Sequence, residues 1–116
     1  MRRLPNERAR LARAKGRLDR LDLYPRPVSL RRVHVWVGPE LFRVPGFRRY
    51  HGYAFWRTIV VKSTEASDDL LTHELCHVWQ AQRRPFAQLW AWFRYRYRKN
   101  PFEREARAAV EATRNG

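Results

Sequence analysis

The sequence predicts an α+β domain with a small sheet and about four helices, and three observations carry that prediction. Two runs rich in β-branched and aromatic residues, Leu30–Val37 and Ala54–Lys62, read as strands. Stretches of helical periodicity lie on either side of them, at 6–22, 68–83 and 101–114. The chain has 116 residues, 44% of them hydrophobic, so residues 1–116 make one domain with a modest core.

The elements follow in order. In residues 6–22, Leu11, Leu18 and Leu21 fall near one face with Arg and Glu between them, and Leu4 continues that face upstream. Asn6, after Pro5, is the expected N-cap, and Pro25–Pro27 ends the segment. In Leu30–Val37, Val33, Val35 and Val37 alternate with His34 and Trp36, and Gly38-Pro39 closes the strand. Residues 41–53 are ambiguous, with Pro45-Gly46 as a turn. Ala54–Lys62 is the second strand, followed by a polar loop in which Ser67 or Asp68 can cap a helix over Asp68–Arg83. Pro85 stops that helix. Phe86–Lys99 is read as helical, with Phe86, Leu89, Trp90, Phe93 and Tyr97 on one face. Asn100 caps a last helix, with Pro101 in its first turn, running to about Arg114.

Composition excludes several classes. No stretch of about 20 apolar residues exists, and the basic N-terminus has no apolar segment behind it, so no membrane span and a cytoplasmic location are expected. A single cysteine, Cys76, excludes an internal disulfide and a cysteine-rich zinc site. Lys+Arg number 25 against 11 Asp+Glu, a net charge of +14, mostly from arginine. Such a surface attracts anionic partners, nucleic acid among them, although arginines spread along a chain are also an ordinary solvated surface. In Trp90–Arg98, arginines alternate with aromatic residues. That pattern suits base stacking, and suits a core face with outward arginines better.

The chemistry is concentrated in His73-Glu74-Leu75-Cys76-His77, an HExxH motif inside an expected helix. Residues four apart share a helix face, so both imidazoles can bind one metal, and neutral imidazole is a good zinc ligand. Glu74, one position on, does not complete the coordination; it faces a water on the metal and takes its proton as general base. A catalytic zinc needs a third protein ligand. The candidates are His34 and His51 upstream and Glu103, Glu105 and Glu111 downstream. Glu103 and Glu105 sit in the first turns of the last helix, where the helix dipole favours carboxylates without any metal. They point about 200° apart, so at most one reaches the metal, and both border the apolar face of Phe102, Ala106, Ala109 and Val110. Cys76 is expected to pack beneath the site.

The run His73–Gln80 together with Asn100-Pro101-Phe102-Glu103-Arg104-Glu105-Ala106 resembles the gluzincin metallopeptidases, in particular the very short minigluzincins. Thr58–Val61 and Leu70-Leu71 are also similar, and the likeness covers about residues 54–112. It implies a zincin-like fold: a small twisted sheet packed on an HExxH active-site helix and a C-terminal glutamate-bearing helix. It implies one Zn2+ per chain, a peptide or protein substrate, and Glu103 as third ligand, because Glu103 begins the E-x-x-A pattern that ends at Ala106. Several gluzincins follow that alanine with an aspartate, a partner for a ligand histidine; this chain has Arg107. The 25 residues between His77 and Glu103 leave room for one helix.

The function expected is therefore zinc-dependent peptide hydrolysis, with Ala54–Lys62 offered as the edge strand that pairs with extended substrate. Tyr50, His51, Tyr53, Arg94 and Tyr95 are candidate oxyanion donors. A shallow cleft in so small a domain also suits a latent enzyme held inactive by self-association. The rival class is a basic nucleic-acid-binding or adaptor protein with a structural or vestigial zinc site, and Glu74 discriminates: a structural site has no use for a base.

Overall fold

A computed structural model describes residues 1–43, 51–85, 87, 88, 91 and 100–114. Phe86, Leu89, Trp90, Phe93 and Tyr97, the Trp90–Arg98 alternation, and Tyr50, Arg94 and Tyr95 lie outside the described residues, as does the Pro45-Gly46 turn.

The fold is α+β, with a mixed four-stranded sheet and, among the described residues, three α-helices. The strands are β1 (Arg2–Arg3), β2 (His34–Val37), β3 (Gly52–Phe55) and β4 (Thr58–Val61). The helices are α1 (Glu7–Leu18), α2 (Asp68–Arg83) and α3 (Pro101–Arg114), and a 3-10 turn spans Pro39–Arg43. Sheet order is β1-β2-β4-β3. β2 and β4 run parallel, with Val35 beside Ile59, while β1 and β3 are antiparallel edges.

The valine alternation of β2 does what period two requires: Val33, Val35 and Val37 are buried. With Ile59 and Val61 they form the sheet's contribution to a core completed by Leu11 and Leu18 of α1 and Leu71, Leu75, Val78 and Trp79 of α2. α2 packs on α1, on α3 and on β3, which makes it the central helix. Its start obeys local rules: Ser67 Oγ accepts from Leu70 N at 3.0 Å, and Asp68 and Asp69 occupy the positive end of the helix dipole. α3 starts similarly, with Asn100 Oδ1 accepting from Phe102 N at 2.9 Å and Pro101 at the position where a missing N–H costs nothing.

Three expectations need correction. Ala54–Lys62 is not one strand. It holds the end of β3, a two-residue turn at Trp56-Arg57, and β4, because pairing Phe55 with Thr58 buries Ile59 and Val61 in the core. The first helix stops at Leu18, four residues early: its end tightens into i→i+3 bonds, Arg20 N to Arg17 O and Leu21 N to Leu18 O. Asn6 does not cap with its side chain. It sits at φ 57°, and the adjoining Glu7 is drawn into the sheet, where its Oε2 accepts from Val35 N at 2.8 Å. Leu4 is buried as expected, but on the link from β1, a short edge strand that periodicity did not reveal.

A polar clamp sets the three helices in register. Arg17 on α1 donates to Asp69 on α2 at 2.9 Å and to Val110 O and Thr113 Oγ1 on α3, while Arg114 donates back to Asp69. The Arg17 and Arg114 guanidiniums hold the Asp69 carboxyl below its usual range. Among the described residues no helix is long and apolar enough to cross a membrane.

Candidate metal centre

Two helices build the site. On α2, Leu71, Leu75 and Val78 turn to the core, which leaves His73 and His77, one turn apart, on the side facing α3. On α3, buried Phe102, Ala106, Ala109, Val110 and Thr113 form the apolar stripe. Ala106 is fully buried, and its small side chain lets the two helices approach closely beside Glu103.

The ligand-type atoms of His73, His77 and Glu103 all lie within 4.8 Å of one another. His73 Nε2 is 3.2 Å from Glu103 Oε2 and 3.2 Å from His77 Nε2, and His77 Nε2 is in close contact with Glu103 Oε1. Bonds of 2.0–2.1 Å to a tetrahedral zinc place neighbouring ligand atoms about 3.3 Å apart. Two of the three separations match that spacing and the His77–Glu103 contact is tighter, while the two-imidazole, one-carboxylate donor set is one that can hold a metal ion. Of the other candidates, His34 on β2 pairs with Glu7, Glu105 pairs with Tyr24 and Gln80, and His51 and Glu111 line the adjoining cleft without joining the cluster.

Electrostatics in the metal-free chain follow from this crowding. Burial opposes ionisation of Glu103, but hydrogen bonds from His73 and His77 override it and bring the carboxyl down to about 2. Burial likewise opposes charging of His77, and Glu103 and the nearby Glu74 override it, raising the imidazole to about 9. Glu74 differs. It is 4% exposed, its Oε2 has no hydrogen-bond partner among the described residues, and burial pushes its carboxyl up. A cleft of about 490 Å³ opens beside it, lined by His51, Gly52, Leu70, His73, Glu74 and Arg107 among others. Gly52 of β3 lies directly over Glu74: an added Cβ would stand 3.4 Å from Glu74 Cγ and 3.2 Å from Leu70 Cδ1.

Sequence reasoning missed Gln80. Its Nε2 donates to Phe102 O at 2.8 Å and to Glu105 Oε1 at 3.0 Å, so its Oε1 must be the acceptor for His77 Nδ1–H at 2.7 Å. That bond holds the His77 ring so that Nε2, which carries the proton shared with Glu103 in the metal-free chain, faces the cluster. Tyr24 OH donates to the same Glu105 oxygen, and Gln88 Nε2 donates to Gln80 Oε1 at 3.1 Å. Gln80 is thus the partner of His77 Nδ1, whereas Arg107 is exposed and faces the cleft. The available signal was its position three after His77, on the same helix face. Cys76 is buried away from the cluster, and burial pushes its thiol up, so it is an inert packing residue.

Of the oxyanion candidates, His51 lines the cleft, and Tyr53 packs on Phe42 with ring centres 5.6 Å apart. Compared with known protein families, curated proteins and solved structures, the chain matches none.

Proposed function

We propose that the protein is a zinc-dependent peptidase of zincin-like architecture, with His73, His77 and Glu103 as metal ligands and Glu74 as general base. The observation that carries the reading is the pairing of a compact His-His-Glu cluster with a buried Glu74 carboxyl whose Oε2 has no hydrogen-bond partner among the described residues, at a cleft. Zinc, when bound, supplies Lewis-acid polarisation and a strongly acidified water.

The chain's own residues do the rest. Glu74, raised by burial and with its Oε2 unpaired among the described residues, is suited to accept a proton at the cleft and return it to a leaving amine. Among the described residues β3 is an edge of the sheet beside α2, so its backbone is offered to an extended peptide; β4, flanked on both sides, is not. Gly52 keeps the strand close over Glu74 without filling the cleft. Gln80 orients His77. A purely structural metal site gives no account of a buried carboxyl oxygen that has no partner among the described residues, which weighs against the adaptor reading.

The test is Glu74→Gln. It should retain about one zinc per chain while peptide hydrolysis falls about 10²–10⁴-fold. It should also denature no more easily than wild type at neutral pH. An acid raised by burial is a destabilising group once ionised, and the amide removes that charge. Full hydrolysis in the variant, or loss of its zinc, would refute the assignment.

A further inference from the structure

The β3–β4 hairpin ends in a turn that its residues do not favour. Phe55 pairs with Thr58, so only Trp56 and Arg57 make the connection, and Trp56 sits at φ 60°. Two-residue hairpin turns that need a positive φ are normally built with Gly, Asn or Asp, and a bulky residue there is strained. The side chains gain no burial in return: Phe55 is 77% exposed and Trp56 60% exposed. Backbone strain carrying exposed aromatic rings has no account in the stability of this chain, and such strain is retained where a surface is used.

Topology gathers charge at the same place. β2 runs parallel to β4, with His34 beside Thr58 and His34 N donating to Arg57 O at 3.2 Å. The residues that lead into β2 therefore lie at the hairpin's end of the sheet. They include Arg31 and Arg32, both exposed, with Arg32 itself at φ 61°. None of the guanidiniums of Arg31, Arg32 and Arg57 has an ion-pair partner among the described residues. Glu7, the carboxylate tied to this end through Val35 and His34, is buried and already neutralised by Arg8.

We propose that this end of the sheet docks on an anionic phospholipid bilayer, with Phe55 and Trp56 entering the interface and Arg31, Arg32 and Arg57 meeting the headgroups. Aromatic rings at the headgroup level backed by cations are the composition of interfacial anchors. Charge complementarity extends beyond the patch, because the whole chain carries +14. Single-stranded nucleic acid would use the same cations, but it is held in grooves that track its backbone past successive aromatic platforms, and a two-residue hairpin tip provides no groove. The proposal does not depend on the metal centre, which lies between α2 and α3.

The experiment is flotation of the full chain with vesicles of phosphatidylcholine alone or with about one third phosphatidylglycerol, at low salt and at about 0.15 M. Binding should require the anionic lipid and weaken with salt. Trp56→Gly should lower partitioning about tenfold or more while the variant melts no lower than wild type, since glycine suits φ 60°. Phe55→Ser should lose binding to a similar extent, and its exposure makes it a second test that leaves the core untouched. Wild-type partitioning in both variants would overturn the proposal, as would absence of binding to anionic vesicles or equal binding to neutral ones. Tighter capture of a single-stranded oligonucleotide, lost in the same two variants, would reassign the face to nucleic acid.

Discussion

Replacing Glu103 and Glu105 separately by alanine tests the site most sharply, because the two changes should look alike until metal is added. In the metal-free protein the Glu103 carboxyl drops from 4.5 to about 2, worth roughly 3 kcal/mol to the folded state. Its side chain is 8% exposed, so solvent screens little of this. Because the group is depressed, the contribution is present above about pH 4.5 and lost as pH falls towards 2. Glu105 accepts from Tyr24 OH and Gln80 Nε2, and leaving those donors unpaired costs about 1–3 kcal/mol. Both variants should thus be destabilised to a comparable degree, by amounts that denaturant titration with chelator present will read. Zinc separates them. A ligand at about 1,000 times its Kd stabilises by about 4 kcal/mol, or roughly 15 °C in melting temperature for a domain of this size. Wild type and Glu105→Ala should show that gain and Glu103→Ala should lose most of it. A full zinc-induced shift in Glu103→Ala, or none in Glu105→Ala, would refute the assignment of the third ligand.

The remaining predictions concern the histidine that Glu103 pairs with. His77 is raised from 6.5 to about 9, so in metal-free protein its stabilising contribution is complete below about pH 6.5 and lost as pH rises through 9. Zinc must displace that proton, so apparent affinity, measured by competition with a chromophoric chelator, should rise about tenfold per pH step between 7 and 9; a flat profile would contradict the ion pair. Gln80→Leu removes the acceptor for His77 Nδ1–H and should weaken zinc about 10–100-fold, whereas the neighbouring change Gln82→Leu, at a half-buried residue bonded to Ser29 and outside the cluster, should leave zinc affinity unaltered.

Local signals made α2 and α3 legible. Asp68–Arg83 is bounded by Ser67 and Pro85, Pro101–Arg114 by Asn100, and HExxH spacing on a helix brings two imidazoles together whatever the rest of the chain does. The valine alternation around β2 likewise named its own buried face. Helix geometry alone did not choose between Glu103 and Glu105, because both flank the same apolar stripe; only the E-x-x-A resemblance favoured Glu103. Packing made the choice, when α3 seated Phe102 and Ala106 and turned Glu103 to the histidines, Glu105 to Tyr24 and Gln80. The hairpin inside Ala54–Lys62 was hidden for a related reason. Trp56-Arg57 carries no glycine or asparagine to announce a turn, and the positive φ at Trp56 accompanies the pairing of β3 along β4. Periodicity and capping act between residues a few positions apart, so a chain displays them in one dimension. Which carboxylate meets the two histidines, and which strand ends up on the edge, depend on surfaces brought together across dozens of residues, and only the folded core decides those.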